Sequence, residues 1–158
     1  MSKTNHIGID TKKAEKLSKK LNNLLANYQI FYMNTRGFHW NIKGEKFFEL
    51  HLKFEELYDN LFLKIDEVAE RILTLGHTPY HSYSDYLAHS KVKEMHNVTD
   101  AKGTVKGVLD AFEVILNLER ELLDLSAEAN DEGTNSLMSD YISEQEKTVW
   151  MYSSFLGK

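Results

Sequence analysis

Two histidines and three carboxylates, His39, His51, Glu55, Asp66 and Glu70, are the residues of this chain whose types and spacing could hold a metal ion. Imidazole nitrogen and carboxylate oxygen together make a donor set suited to a redox-active Fe(II) centre. His51 and Glu55 are four residues apart, as are Asp66 and Glu70, so on a helix each pair shares one side and can approach one ion. The two pairs are eleven residues apart, or about 16 Å along a helix axis at about 1.5 Å per residue. Metal–ligand bonds of this kind are only about 2.0–2.2 Å long, so one helix cannot close both pairs round one ion. Eleven residues are also about three whole turns, which keeps the pairs on one face. A second copy laid antiparallel about a two-fold axis near Asn60 and Leu61 would bring Asp66 and Glu70 of one chain beside His51 and Glu55 of the other. Such a dimer has two equivalent sites.

The helix that must carry these residues runs from Phe47 to Leu73 without Pro or Gly. Phe47, Leu50, Phe54, Leu57, Tyr58, Leu61, Ile65, Val68 and Ile72 form its core stripe. Glu49, Lys53, Glu56, Asn60, Lys64, Glu67 and Arg71 form an entirely polar stripe opposite. A third sector mixes Phe48, Leu52, Phe62, Leu63, Ala69 and Leu73 with the candidate ligands and Asp59. A surface helix needs one apolar stripe, so a second one studded with carboxylates calls for a second partner.

Three more amphipathic helices are predicted, over about Thr11 to His39, Asp100 to Ala129 and Thr134 to Phe155. Residues 1–10 read as an N-terminal tail and 11–158 as one domain. Gly76 to Thr99 is a long crossover between the second and third helices, with a short helix possible over Ser84 to Ser90. Two helices, a long link and two more helices predict an all-α, ferritin-like four-helix bundle with one crossover connection.

The composition narrows the function classes. There is no Cys, which excludes disulfides, iron–sulfur clusters and thiol catalysis. No signal core opens the chain and no run is long and apolar enough to span a membrane, so a soluble, cytoplasmic protein is expected. The 24 acidic residues outnumber 19 Lys and Arg, giving −5, whereas a dedicated nucleic-acid binder has a basic excess. Lys12, Lys13, Lys16, Lys19 and Lys20 at the start of the first helix read as a solvated face. His77, His81, His89 and His96 in or near the crossover read as polar loop residues rather than a metal site.

A single histidine on an apolar face is more often a hydrogen-bonded core residue than a ligand, and His39, on the face of Tyr28 and Tyr32, invites that reading. The set outweighs its members. Two histidines and three carboxylates converge under one symmetry operation, and carboxylates among Phe and Leu are costly unless paired or coordinated. Lys64 and Arg71 fall on the other side of the helix, leaving Asp66 and Glu70 without a cation on their own face.

The stretch FHWNIKGEKFFELHLKFEELYDNLFLKIDEVAERI resembles the signature of Dps proteins, the DNA-protecting mini-ferritins, and the resemblance extends over essentially the whole chain. It implies a di-iron ferroxidase centre between two-fold-related subunits. His39, His51 and Glu55 would come from one chain and Asp66 and Glu70 from its partner, with Glu70 bridging and Trp40 beside the iron. It implies a hollow dodecamer that oxidises Fe(II), preferably with hydrogen peroxide, and stores Fe(III). Glu55 stands where the family often has Asp, which should alter affinity or geometry rather than abolish binding. Glu128, Asp131 and Glu132 are the candidates for the family's acidic iron-entry pore, with Ser136 where many relatives have Asp. Relatives that bind DNA commonly carry a lysine-rich tail, and little or no direct DNA binding is expected here. A maxi-ferritin would need Glu-x-x-His pairs, and none occurs in this sequence. A metal-sequestering or DNA-compacting protein without turnover is the alternative.

Overall fold

The computed structural model describes residues 3–158. Five helices follow one another: α1 (Thr11–Asn41), α2 (Phe47–Thr74), α3 (Tyr83–His89), α4 (Ala101–Glu128) and α5 (Glu132–Phe155). The four long ones form the bundle, and α3 is the short helix of the crossover.

Helix ends are set by side chains that satisfy otherwise unpaired amides. Asp10 accepts from the amides of Lys12 and Lys13, Asp100 from Gly103 and Asp131 from Thr134. α2 has no side-chain cap and starts instead after the turn at Gly44. It stops at Gly76, whose φ of 91° lets the amides of Gly76 and His77 fold back onto the carbonyls of Leu73 and Ile72. Asn130, at φ 53°, ends α4 by the same pattern of bonds, to Ala127 and Ser126.

α1 packs along α2 and α4, and α4 packs along α5. The core between them holds Leu17, Leu21, Tyr28 and Phe31 from α1, Phe54, Leu61 and Val68 from α2, Val108, Phe112 and Ile115 from α4, and Met138 from α5. Phe31 meets Phe112 edge to face with centroids 5.0 Å apart. The expected core stripe of α2 is largely inside.

The polar stripe of α2 is only partly a solvent face. Glu49, Lys53, Glu56 and Glu67 are exposed, whereas Asn60, Lys64 and Arg71 bind residues of α5 or its cap. Lys64 is only 4 % exposed and donates to Glu144 and Asn60, both at 2.8 Å. Tyr141 donates to Glu67, and Arg71 binds Asp131 at 2.6 Å and Thr134 at 2.9 Å. Periodicity marks a stripe as polar but does not say whether a second polar stripe lies against it.

The crossover is fastened to α1 by three asparagines spaced along that helix. Asn22 donates to the Thr78 carbonyl and accepts from the Tyr80 amide. Asn27 accepts from the amides of Lys91 and Val92 and from the Ser90 hydroxyl. Asn34 donates to the Lys93 carbonyl and accepts from the Met95 amide. These side chains supply the backbone partners that a segment without regular structure otherwise lacks.

Candidate metal centre

The α1–α2 hairpin places His39, in the last turn of α1, against His51, in the second turn of α2. Their rings stack with centroids 3.8 Å apart and planes 12° apart. Each ring is held by the other residue's main chain: His39 Nδ1 is 2.6 Å from the His51 carbonyl oxygen, and His51 Nδ1 is 2.7 Å from that of His39. A carbonyl can only accept, so both Nδ1 atoms carry hydrogen, and in the neutral rings it is Nε2 that keeps the lone pair. The arrangement comes from helix ends. The His39 carbonyl lies in the last turn of α1, where carbonyls lack an amide partner within the helix. Phe47 stacks on His51 with centroids 4.9 Å apart, and the Tyr58 ring lies edge-on to His39 at 5.3 Å.

Glu55, one turn along α2 from His51, brings Oε2 to 4.0 Å from His39 Nε2. The structure thus gathers His39, His51 and Glu55 at one end of the α2 face. Asp66 and Glu70 are together at the other end: a hydrogen bond from the Glu70 carboxyl to Asp66, reinforced by the Asp66 charge, holds Glu70 above the usual carboxylate range. Among the described residues, no three of His, Asp or Glu converge on one point within a single chain. Each chain therefore presents two separate half-sets, three residues in one and two in the other.

Between and beside the half-sets, α2 exposes Phe48, Leu52, Phe62, Leu63 and Leu73, with Phe48 81 % exposed. Trp40 is 57 % exposed at the same edge. Its ring stacks on the Arg36 guanidinium, 4.8 Å away, and Arg36 also lies over Tyr32 and Tyr58. This caged arginine was not among the sequence candidates, although Tyr32, Arg36 and Trp40 are spaced by four on α1 and so share a face.

Of the three pore candidates, Asp131 is committed elsewhere. It is buried, caps α5 and pairs with Arg71, so it is a structural carboxylate and not a lining one. The crossover histidines do not gather into a metal set among the described residues. His89 stacks on Tyr80, and His81 and His89 each place Nδ1 at a backbone carbonyl.

Comparison with known proteins agrees with this architecture. The ferritin-like domain family model matches residues 18–158. A crystal structure from Vibrio cholerae superposes with a TM-score of 0.96 at 56 % identity, covering 99 % of this chain and 98 % of that one. It is described as a Dps protein and a member of a broad superfamily of ferritin-like diiron-carboxylate proteins. A Dps protein from Bacillus brevis superposes with a TM-score of 0.89 at 33 % identity, over 92 % of this chain and 97 % of that chain. A Porphyromonas gingivalis protein named DNA protection during starvation protein is 46 % identical over 96 % of this chain and 95 % of its own length. The fold is a ferritin-like, all-α four-helix bundle. Within that class, the chain belongs to the Dps family.

Proposed function

We propose that the protein is a ferroxidase and iron store. Two Fe(II) ions bind at a centre shared between two subunits and are oxidised, preferably by hydrogen peroxide, and Fe(III) is stored inside a dodecamer in the cytoplasm. The observation that carries this reading is the pair of imidazoles with both Nδ1 atoms tied to carbonyls and both Nε2 lone pairs free. Metal-binding histidines are usually held this way, by a hydrogen bond from the ring nitrogen that does not bind the metal. Two imidazoles and three carboxylates suit Fe(II) in ligand type, and the repulsion of Asp66 that raises Glu70 is what a bound cation would relieve.

The apolar face of α2 supports the pairing of subunits. In an antiparallel α2 pair with its two-fold axis between Asn60 and Leu61, His51 faces the partner's Glu70 and Glu55 faces the partner's Asp66. The same register sets Phe48 against the partner's Leu73, and Leu63 against the partner's Tyr58. One operation therefore completes the donor set and covers the exposed apolar side chains, which a lone chain would leave in water.

The redox chemistry is that of the iron: two Fe(II) and one hydrogen peroxide, with two protons, give two Fe(III) and two waters. The chain's own residues hold the two ions close together, so that peroxide takes both electrons and no hydroxyl radical is released. His39, His51 and Glu55 of one subunit and Asp66 and Glu70 of its partner are the ligands, with Glu70 bridging and Trp40 beside the site. The Glu55 side chain is about half exposed in the single chain, so its longer arm is free to turn toward the ions.

The P. gingivalis relative's name refers to DNA protection during starvation. Here protection would come from removing iron and peroxide together, with little direct DNA contact given a net charge of −5 per chain. Fe(II) titration under peroxide, following oxidation and peroxide consumption together, tests the function. Two Fe(II) per peroxide is expected. One-to-one consumption with hydroxyl radical in a spin-trap assay would overturn it, as would binding without turnover.

A further inference from the structure

Beside the proposed centre stands a cation that binds no metal. Arg36 of α1 lies over three aromatic rings at once, its guanidinium carbon 4.8 Å from the centre of the Trp40 ring, 5.5 Å from Tyr32 and 5.8 Å from Tyr58. Arg71 and Arg120 pair with carboxylates, whereas among the described residues Arg36 pairs with none, and its Nε is buried without a hydrogen-bond partner. Its charge is held by ring faces, an interaction that leaves the field of the cation uncancelled. One of these rings touches the proposed centre: Tyr58 is edge-on to His39, with centroids 5.3 Å apart, and Tyr32 is edge-on to Tyr58 at 6.0 Å. Another, Trp40, follows His39 in the chain and opens onto the surface.

Hydrogen peroxide needs two electrons. A centre that holds a single Fe(II) supplies one, and a nearby ring would have to supply the other. Fe(II), hydrogen peroxide, one proton and the Tyr58 phenol would then give Fe(III), two waters and a Tyr58 phenoxyl radical, the phenol having lost one electron and one proton. The same balance holds for the indole of Trp40. Taking an electron from either ring places positive charge beside the Arg36 cation, and like charges oppose that step. Glu55 and Asp59 act at the Tyr58 hydroxyl with the opposite sign, and Arg36 offsets them. We propose that Arg36 guards Tyr58 and Trp40 against one-electron oxidation, so that peroxide takes both electrons from iron. The inference rests on the ferroxidase reading. Within it, Arg36 is a specificity-determining residue that selects the electron donor without being a ligand.

The first measurement uses no iron. Full-length protein carries Trp150→Phe, which leaves Trp40 as its one indole, and is compared with the same chain bearing Arg36→Gln, Arg36→Met or Arg36→Lys. Hexachloroiridate(IV), a one-electron oxidant, is mixed in, and loss of Trp40 fluorescence is followed. The two neutral variants should react about tenfold faster or more, although losing a cation slows the approach of an anionic oxidant. Arg36→Lys, which keeps the charge, should stay nearer the parent. Equal rates in parent and neutral variants overturn the proposal and leave the ferroxidase reading standing. The second measurement adds Fe(II) and peroxide. Wild type should consume two Fe(II) per peroxide without a protein radical. In the neutral variants the ratio should fall toward one, with a radical in freeze-quench electron paramagnetic resonance and oxidised Tyr58 or Trp40 in peptide mass spectra. A two-to-one ratio without a radical in those variants overturns the guard. A wild-type protein that oxidises no Fe(II) overturns the ferroxidase reading itself.

Discussion

His39 and His51 each orient the other through the main chain: each ring's Nδ1 is bound to the other residue's carbonyl oxygen, not to its side chain. Replacing one imidazole therefore removes one proposed ligand and one stacking contact but leaves the acceptor that holds the remaining ring. Substitutions at this pair should report on ligand number rather than on collapse of the pocket.

Subunit mixing exploits that property. His39→Ala/His51→Ala chains and Asp66→Ala/Glu70→Ala chains should each lose ferroxidation by at least about a hundredfold, on the scale of lost metal-site groups. Co-assembled, they should form dimers with one complete site and one nearly empty site, recovering part of the activity. Mixed assemblies verified by native mass spectrometry that stay as inactive as both parents would exclude the shared centre.

Assembly should depend on the exposed apolar side chains of α2. Twelve chains of 18.3 kDa would give about 220 kDa, the mass expected from light scattering for a closed shell. Leu52→Glu/Leu63→Glu should reduce the particle to monomers. Both side chains are exposed in the single chain, so chain stability should change by no more than about 0.5 kcal/mol per site. A wild-type chain that is monomeric at micromolar concentration would remove the physical case for the site as well.

Glu119 should give the bundle a distinctive pH dependence. Its folded-state carboxyl is raised to about 8 by burial, against the lowering effect of Tyr28, Lys64, Gln145 and Arg120, above its value in an unfolded chain. Between the two values the folded state binds the extra proton. The stability associated with Glu119 is therefore full at low pH and falls as pH rises toward about 8, by up to about 1.4 kcal/mol per pH unit, and levels off above. Glu119→Gln should remove this slope. Urea melts of both forms from pH 5 to 8.5 check it, and a difference that does not change with pH would contradict the assignment.

Much of this was legible in the sequence. The α2 pattern, with its two apolar sectors, gave the helix, its core face and the second apolar sector that the single chain leaves exposed. Arg71 and Lys64 were correctly placed away from Asp66 and Glu70, but their own surroundings were not legible. Periodicity gives direction round a helix axis, and only the packed bundle shows that α5 covers that direction. Asp131 misled for a related reason. An acidic residue in a connection looks solvent-facing, whereas its place just before α5 makes it a cap, and Arg71 draws it inward. The reciprocal histidine bonds depend on how the α1–α2 hairpin aligns two carbonyls, which residue spacing does not encode.

The asparagine fastening should be worth more than an ordinary loop contact. Asn27→Ala would leave the amides of Lys91 and Val92 without their acceptor. Two unmet donors in a poorly hydrated place suggest a loss of about 2–4 kcal/mol. Chemical denaturation measures it, and hydrogen exchange should quicken at residues 90–92 with little change in α2. Loss below about 0.5 kcal/mol would mean that water replaces the asparagine freely.

Direct DNA binding is expected to be weak. Affinity for duplex DNA comes chiefly from neutralising phosphates with Lys and Arg, and each chain carries a net −5. Lys19 is paired with Glu15, and Lys20 with Glu121. In a gel-shift titration at pH 7.5 and about 0.15 M salt, plasmid should run free. Full retention at submicromolar protein would contradict this.

All but one of the bonds that Asn22, Asn27 and Asn34 make to the crossover end on its backbone, the Ser90 hydroxyl being the exception. A segment gripped by its peptide groups keeps its course whatever side chains it carries. Tyr83 and Leu87 of α3 already face outward, so this stretch is a natural place to graft a foreign epitope. The grafted side chains would change what the surface presents, while the grip and the bundle beneath it stayed the same.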